Sequence, residues 1–280
     1  MTSFLDLLTD AIHPKVSSNS LIVVPTRRAA VQIQRKLGAK QQKPGFLPTC
    51  IPIADLMSLC NDLPIASDTT LLLDLFHSYK NYDSAIQLDE FIKWGDQLLS
   101  DFDEVDRNLI DPEKLFTRIK DIKDIEEMFA DDEVQTEFLN RFWKEFSMNP
   151  LSKLKLSFLS YWEILPKLYV HFTKSLIDKK YCYEGMAWRN IASTLESNKW
   201  FNHFDHIVFA GFYALTKSEE VIISTLVKNN KASIYIDADE YYINQKLHEA
   251  GNYFRKGINQ SIKNFIGNRS EEHTELQSRQ

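Results

Sequence analysis

The sequence predicts an α/β protein, a parallel sheet in two halves with an all-helical segment inserted between them. Three observations carry this. Leu21-Ile22-Val23-Val24 and Ile207-Val208-Phe209-Ala210 are short, continuous apolar runs, the pattern of strands buried on both faces. Each is followed by a helix-start signal: Thr26 after the first, and Thr216 with Glu219 three positions on after the second. Between them, from Asp68 to about Leu195, strand-like runs vanish and apolar stripes at helical spacing follow one another.

Taken in order, Ser3 to Ile12 reads as an amphipathic helix and Leu21 to Val24 as the first buried strand. Thr26 then caps a helix to about Leu37, with Val31, Ile33 and Leu37 inward and Gly38 as its stop. Thr49 to Ile53 is a short strand and Asp55 to Asn61 a short helix. The helical segment follows. Its stripes are Leu71-Leu72-Leu75-Phe76-Tyr79, Phe91-Trp94-Leu98-Phe102, Leu115-Ile119-Ile122, Phe138-Phe142-Phe146 and Leu154-Phe158-Tyr161-Trp162-Leu165. Asp111-Pro112 and Asn149-Pro150 mark helix starts, while Pro166 inside an apolar stripe should kink or split its helix. Aromatic residues at this spacing point to a core ahead of a base-stacking platform. The second sheet half is a βαβ unit. Its helix carries Val221, Ile222, Thr225 and Leu226 inward, ends near Asn229-Asn230, and leads to a strand from Ser233 to Ile236. The resulting division is 1–67 and 200–268 for the two halves of the α/β domain, 68–199 for the helical insertion and 269–280 for a polar tail.

Composition narrows the class. Among 280 residues, 44% are hydrophobic, yet no apolar run approaches the ~20 residues that span a bilayer. Three cysteines, far apart and without a Cys-x-x-Cys pair, fit a reducing, cytoplasmic setting and neither a disulfide frame nor a zinc site. The net charge of -6 conceals an asymmetry. Asp89 to Glu137 holds 17 acidic and 6 basic residues, a local net of -11, so the remainder, with 22 acidic and 27 basic, is at +5. A polyanion partner is therefore compatible with the overall acidity. The acidic block itself reads first as solvated helix faces.

The chemistry that is missing is equally informative. The glycines form neither Gly-x-x-x-x-Gly-Lys-Ser/Thr nor Gly-x-Gly-x-x-Gly, so the sequence shows no phosphate cradle for ATP or a dinucleotide. The strand Ile207-Val208-Phe209 ends in Ala210-Gly211, where an ATPase carries carboxylates for magnesium and water. His203 and His206 have a spacing that does not put both on one strand face, a poor metal pair. Asp237 and Asp239, alternate residues after Ile236, could bind magnesium, but Asp239 serves equally as a helix cap. Arg27 and Arg28 fall in the first turn after Thr26, where the helix dipole disfavours cations. A bound phosphate would offset that cost; an ordinary solvated arginine pair is the equal alternative.

Leu21 to Leu37, a strand followed by Pro25-Thr26-Arg27-Arg28-Ala29-Ala30, resembles the single-strand-contacting motif of UvrD-like superfamily 1 helicases. His206 to Thr216 with Ser218-Glu219 is similar to the degenerate Walker B region of AddB/RexB-like proteins, helicase-like and nuclease-bearing partners of a true helicase. Trp94-Gly95 with Leu98 to Asp106, and Tyr183-Glu184-Gly185-Met186, resemble the form of that family whose long proteins end in a PD-(D/E)XK nuclease. The resemblance spans Ser3 to about Phe265. It implies a RecA-like sheet (a degenerate helicase domain 1A) interrupted by a 1B-like helical insertion. It implies further that Thr26, Arg27 and Arg28 lie near a single-stranded DNA path, and that Ala210-Gly211 is a dead Walker B. The parent would be an ATP-dependent helicase/exodeoxyribonuclease-type subunit in recombinational repair of double-strand breaks. It would have a UvrD-like helicase partner, and Mg2+ would be required only by a nuclease domain missing here. The present chain would bind DNA and perform no catalysis.

The tail from Arg269 to Gln280 is unlike what precedes it. It resembles a translated sequencing adaptor, which would make the chain the amino-terminal fragment of a longer protein; a plain disordered terminus is the other reading. Two further functional readings stand beside the DNA-binding one. The first is a protein-interaction scaffold whose acidic helical insertion docks a basic partner without DNA affinity, and the second a divergent ATPase using Asp237 to Glu240.

Overall fold

The computed structural model describes residues 3–118 and 153–237, with side chains over 3–116 and 164–237. The elements in order are α1 (Phe4–Ile12), β1 (Leu21–Val24), α2 (Arg27–Lys40), β2 (Thr49–Pro52), α3 (Ile53–Cys60), α4 (Asp68–Tyr79), α5 (Leu88–Arg107) and α6 (Pro112–Arg118). After these come α7 (Lys153–Asp178), α8 (Glu184–Thr194), a 3-10 helix (Lys199–His203), β3 (Ile207–Ala210), α9 (Lys217–Lys228) and β4 (Ala232–Tyr235). The fold is α/β. The chain forms two compact units, Met1–Asp62 with Ala187–Gln280, and Leu63–Met186.

The first unit is built on a four-stranded, all-parallel sheet in the order β2-β1-β3-β4. The register is flush: Leu21 sits level with Thr49 and Ile207, and Ile207 with Ala232. β1 and β3 are buried at every position, as their uninterrupted apolar runs require. One face of the sheet presents Ile22, Val24, Val208, Ala210 and Tyr235 to Leu8 and Ile12 of α1 and to Ala30, Ile33 and Leu37 of α2. Burying each of the larger aliphatic side chains stabilises the fold by roughly 1.5–3 kcal/mol. Ion pairs Lys36–Asp6 and Lys40–Asp10 tie α2 to α1, advancing four residues along both helices.

Local chemistry defines the helix starts. Ser3 and Asp6 form a reciprocal capping box at α1, and Thr216 and Glu219 form another at α9. Thr26 caps α2 by accepting from the Ala29 N–H at 3.2 Å. Asn230, at φ 57, takes the left-handed conformation that ends α9.

Several expectations are corrected. Gly38 does not end α2, which continues to Lys40. A Cβ at Gly38 would meet Leu47 at 3.5 Å, and Lys40 in the final turn pairs with Asp10. The helix thus runs through Gly38 despite the ~1 kcal/mol helix penalty of one glycine. Val31 is 41% exposed, and Ala30 takes its place inward, because 30, 33 and 37 share a stripe that 31 misses. The buried stripe of α9 is Ser218, Ile222, Ile223 and Leu226, without Val221 or Thr225. Pro166 does not split its helix, since α7 runs unbroken through it.

The second unit is helical throughout its regular elements α4 to α7. Its core joins Leu75 and Tyr79 of α4, Phe91 and Phe102 of α5, Phe116 of α6 and Leu168 and Phe172 of α7. The described aromatic stripes are thus core, with Phe172 stacked on Tyr183 at 5.9 Å. Residues Ile119, Ile122, Phe138, Phe142 and Phe146, the Asn149-Pro150 start, and everything from Ala238 onward lie outside the described residues. No helix among the described residues is long and apolar enough to cross a membrane.

Candidate nucleic-acid interface

In the α/β unit, β1 connects through α2 to β2 on one side, while β3 connects through α9 to β4 on the other. Right-handed crossovers in opposite directions place α2 and α9 on opposite faces. The carboxyl edge between β1 and β3 is therefore the topological switch point of the sheet, the place where open α/β sheets bind ligands. Pro25-Thr26 follows β1 at this edge, and Gly211 to Leu215 follows β3.

Gly211 fits this place through its backbone. Its φ of 78 lies in the region that favours glycine, and a Cβ there would meet the Phe4 ring at 3.4 Å and Pro25 at 3.9 Å. The Gly211 N–H extends the sheet by donating to Tyr235 O at 2.9 Å.

Pro25, Thr26, Arg27 and Arg28 are all exposed, and no acidic residue stands in the first turn of α2. Arg27 donates to both carboxylate oxygens of Asp55 on α3, at 3.0 and 3.2 Å. With 78% of the Arg27 side chain in solvent, such a pair is worth little and a stronger anion can compete for it. The Arg28 side chain makes no ion pair among the described residues. Positive charge, helix-start N–H groups and exposure occur together at this turn, a combination whose chemistry suits an anion.

Ala210 is buried against the α1–α2 side of the sheet. Asp237, just past β4, accepts from the Tyr213 hydroxyl at 3.1 Å. Its suggested magnesium partner Asp239 lies outside the described residues. No group of three His, Cys, Asp or Glu residues that could hold a metal occurs among the described residues. His203 contacts Trp200 O at 2.9 Å and His206 contacts Ser233 Oγ at 3.0 Å. His206 immediately precedes β3 at the sheet's opposite edge, where burial, then Lys231 and Lys15, lower its pKa. Cys50 and Cys60 are free, and burial pushes both thiols up to about 12, which disfavours the thiolate.

The sequence matches no protein-family model and no curated protein. The site must therefore be read from its own chemistry.

In the helical unit, the two stretches Leu98 to Asp106 and Tyr183 to Met186 meet. Asp106, fully buried, accepts from the Tyr169 hydroxyl at 2.6 Å and from Tyr183. Asp103 accepts from the Gly185 N–H and from Arg107, each at 2.5 Å, and Arg107 reaches Glu184 at 2.7 Å. Burial works against the charge of Arg107, but Asp103 and Glu184 outweigh it and raise its pKa. Asp74 likewise accepts from Lys179 at 2.5 Å and from Tyr181. Residues 179, 181, 183 and 185 thus alternate onto aspartates, strapping the connection between α7 and α8 to the helices. Pro64, Ala66 and Cys182 add a parallel bridge with two 3.0 Å backbone bonds. Asp101 and Asp106 depart from the reading of the acidic block as solvated faces, at 4% and 0% exposed, whereas Asp89, Glu90, Asp96, Asp111 and Glu113 are exposed as that reading expects.

One residue at the α2 surface escaped the sequence reading. Arg35 is exposed and makes no ion pair among the described residues. The signal was available, because α2 carries five basic residues and no acidic one in a chain of net charge -6.

Proposed function

We propose that this chain is the non-catalytic, helicase-like DNA-binding module of an AddB-like repair nuclease subunit that acts at double-strand break ends. The observation that carries this is the exposed, acid-free first turn of α2, with Arg27 and Arg28, set at the switch point of a parallel sheet. Such a turn recognises the phosphate backbone shared by all sequences and supplies salt-sensitive, sequence-tolerant affinity. The strand order and the inserted helical unit are compatible with a RecA-like domain carrying a 1B-like insertion. Ala210-Gly211 at the β3 end supports an inactivated Walker B, so the module holds DNA without turning over ATP. Magnesium-dependent cutting and a UvrD-like helicase partner belong, on this reading, to the parent assembly.

The scaffold reading would rest on the exposed Asp89, Glu90, Asp96, Asp111 and Glu113 of the acidic segment, since Asp101, Asp103 and Asp106 are engaged inside their own unit. The test is equilibrium binding of the whole chain to a fluorescent oligothymidylate at low and moderate salt. Binding that falls log-linearly with salt is the expected result. No affinity at low salt would overturn the proposal, and binding only to a basic protein partner would favour the scaffold.

A further inference from the structure

The basic residues of α2 divide into two sets. Arg27 is paired with Asp55, Lys36 with Asp6 and Lys40 with Asp10. Arg28 and Arg35 are exposed and have no side-chain partner among the described residues. The helical wheel explains the division. Ala30, Ile33 and Leu37 face the sheet. At 3.6 residues per turn, Arg28 and Arg35 lie within about 20° of each other at the opposite, solvent pole. Lys36 and Lys40 fall on one flank, towards α1, and Arg27 on the other, towards α3. The flanking cations are neutralised by their neighbours, and the polar pair is not.

We propose that Arg28 and Arg35 form a ridge that grips the phosphate backbone of one nucleic acid strand, making Arg35 a further binding residue. Seven residues of helix separate them by about 10.5 Å, so the two side chains can take separate phosphates of one strand. The guanidinium fork suits phosphate oxygens. Val31, 41% exposed between them on the outer surface, leaves the approach free of competing charge. The ridge continues from the switch point along α2 and gives the strand a direction across the unit. It rests on the DNA-binding reading above and extends it by naming a contact that this reading did not contain.

The experiment measures oligothymidylate binding by anisotropy across a salt series for the parent chain and for Arg27→Ala, Arg28→Ala, Arg35→Ala and Arg35→Lys, each checked for an unchanged melting profile. Arg35→Ala and Arg28→Ala should each weaken binding roughly fivefold at low salt. Each should also lower the magnitude of the log–log salt slope by about 0.7, as for one single-strand phosphate contact. Arg35→Lys should restore most of the slope, and Arg27→Ala should have the smallest effect. Arg35→Ala binding with parental affinity and slope, while the parent binds well, would overturn the ridge and leave the DNA-binding reading standing. A parent chain without affinity would overturn both.

Discussion

The Gly185 backbone N–H donates to the Asp103 carboxylate at 2.5 Å across 82 residues of sequence. A Cβ at Gly185 would lie 2.9 Å from the Asp103 carbonyl carbon and Cα, and closer still to its carbonyl oxygen. The two backbones touch, and only glycine permits it. Gly185→Ala is expected to destabilise the protein by about 1–3 kcal/mol through enforced separation of the two segments. The urea midpoint, with an unchanged m-value, is the readout; a neutral substitution would mean that the approach is looser than described.

Tyr183 makes the neighbouring contact. Its hydroxyl serves the buried Asp106 carboxylate, and burial first, then Asp106, pushes its pKa well above the ordinary value. Tyr183→Phe removes a hydrogen bond to a charged group and should cost about 1.5–3 kcal/mol. In alkaline spectrophotometric titration, Tyr183 should be absent from the phenols that ionise near their usual pH, so the native titration curve should be the same in the Phe variant.

These contacts show which parts of the protein were legible in its sequence. β1 and β3 were legible because a strand buried on both faces needs an unbroken apolar run, which Leu21 to Val24 and Ile207 to Ala210 supply. The α9 capping box was legible because its partners are three residues apart. Gly38 misled because the turn beyond it is tied to α1 through Lys40 and Asp10, which no local rule weighs. The inward aspartates misled for a related reason. Asp106 is satisfied by Tyr169 and Tyr183, 63 and 77 residues away, and a buried charge is recognisable only through such partners. At the candidate site, Thr26, Arg27 and Arg28 followed from a strand-to-helix pattern, whereas the role of Arg35 depends on which neighbours neutralise the other cations.

Asp6 carries a pH dependence. Lys36 first, then Ser3, lower its carboxyl from 3.8 to about 2. A depressed carboxylate contributes stability that is fully present above its unfolded value and is lost as pH falls through the folded one. Asp6→Asn should therefore lower the urea midpoint at pH 7, and its difference from the parent should close as pH approaches about 2. An equal difference at both pH values would show that the carboxylate is not the stabilising form.

Thr26 positions the arginines by capping α2. Thr26→Ala should cost about 1 kcal/mol of stability and weaken oligothymidylate binding by fraying the turn that carries Arg27 and Arg28. Thr26→Ser should retain both properties, measured by thermal melting and by anisotropy. A Ser variant as impaired as the Ala variant would contradict the capping role.

The most direct test of the central claim is to locate the strand on the protein. An oligothymidylate carrying photoreactive 5-iodouracil is bound to the whole chain at low salt, irradiated, and the attached peptides are mapped by mass spectrometry. Attachment within the peptides that follow β1 and β3, residues 25–40 and 211–216, is the expected result. Attachment confined to residues 63–186 would contradict the assignment of the sheet's carboxyl edge as the DNA path.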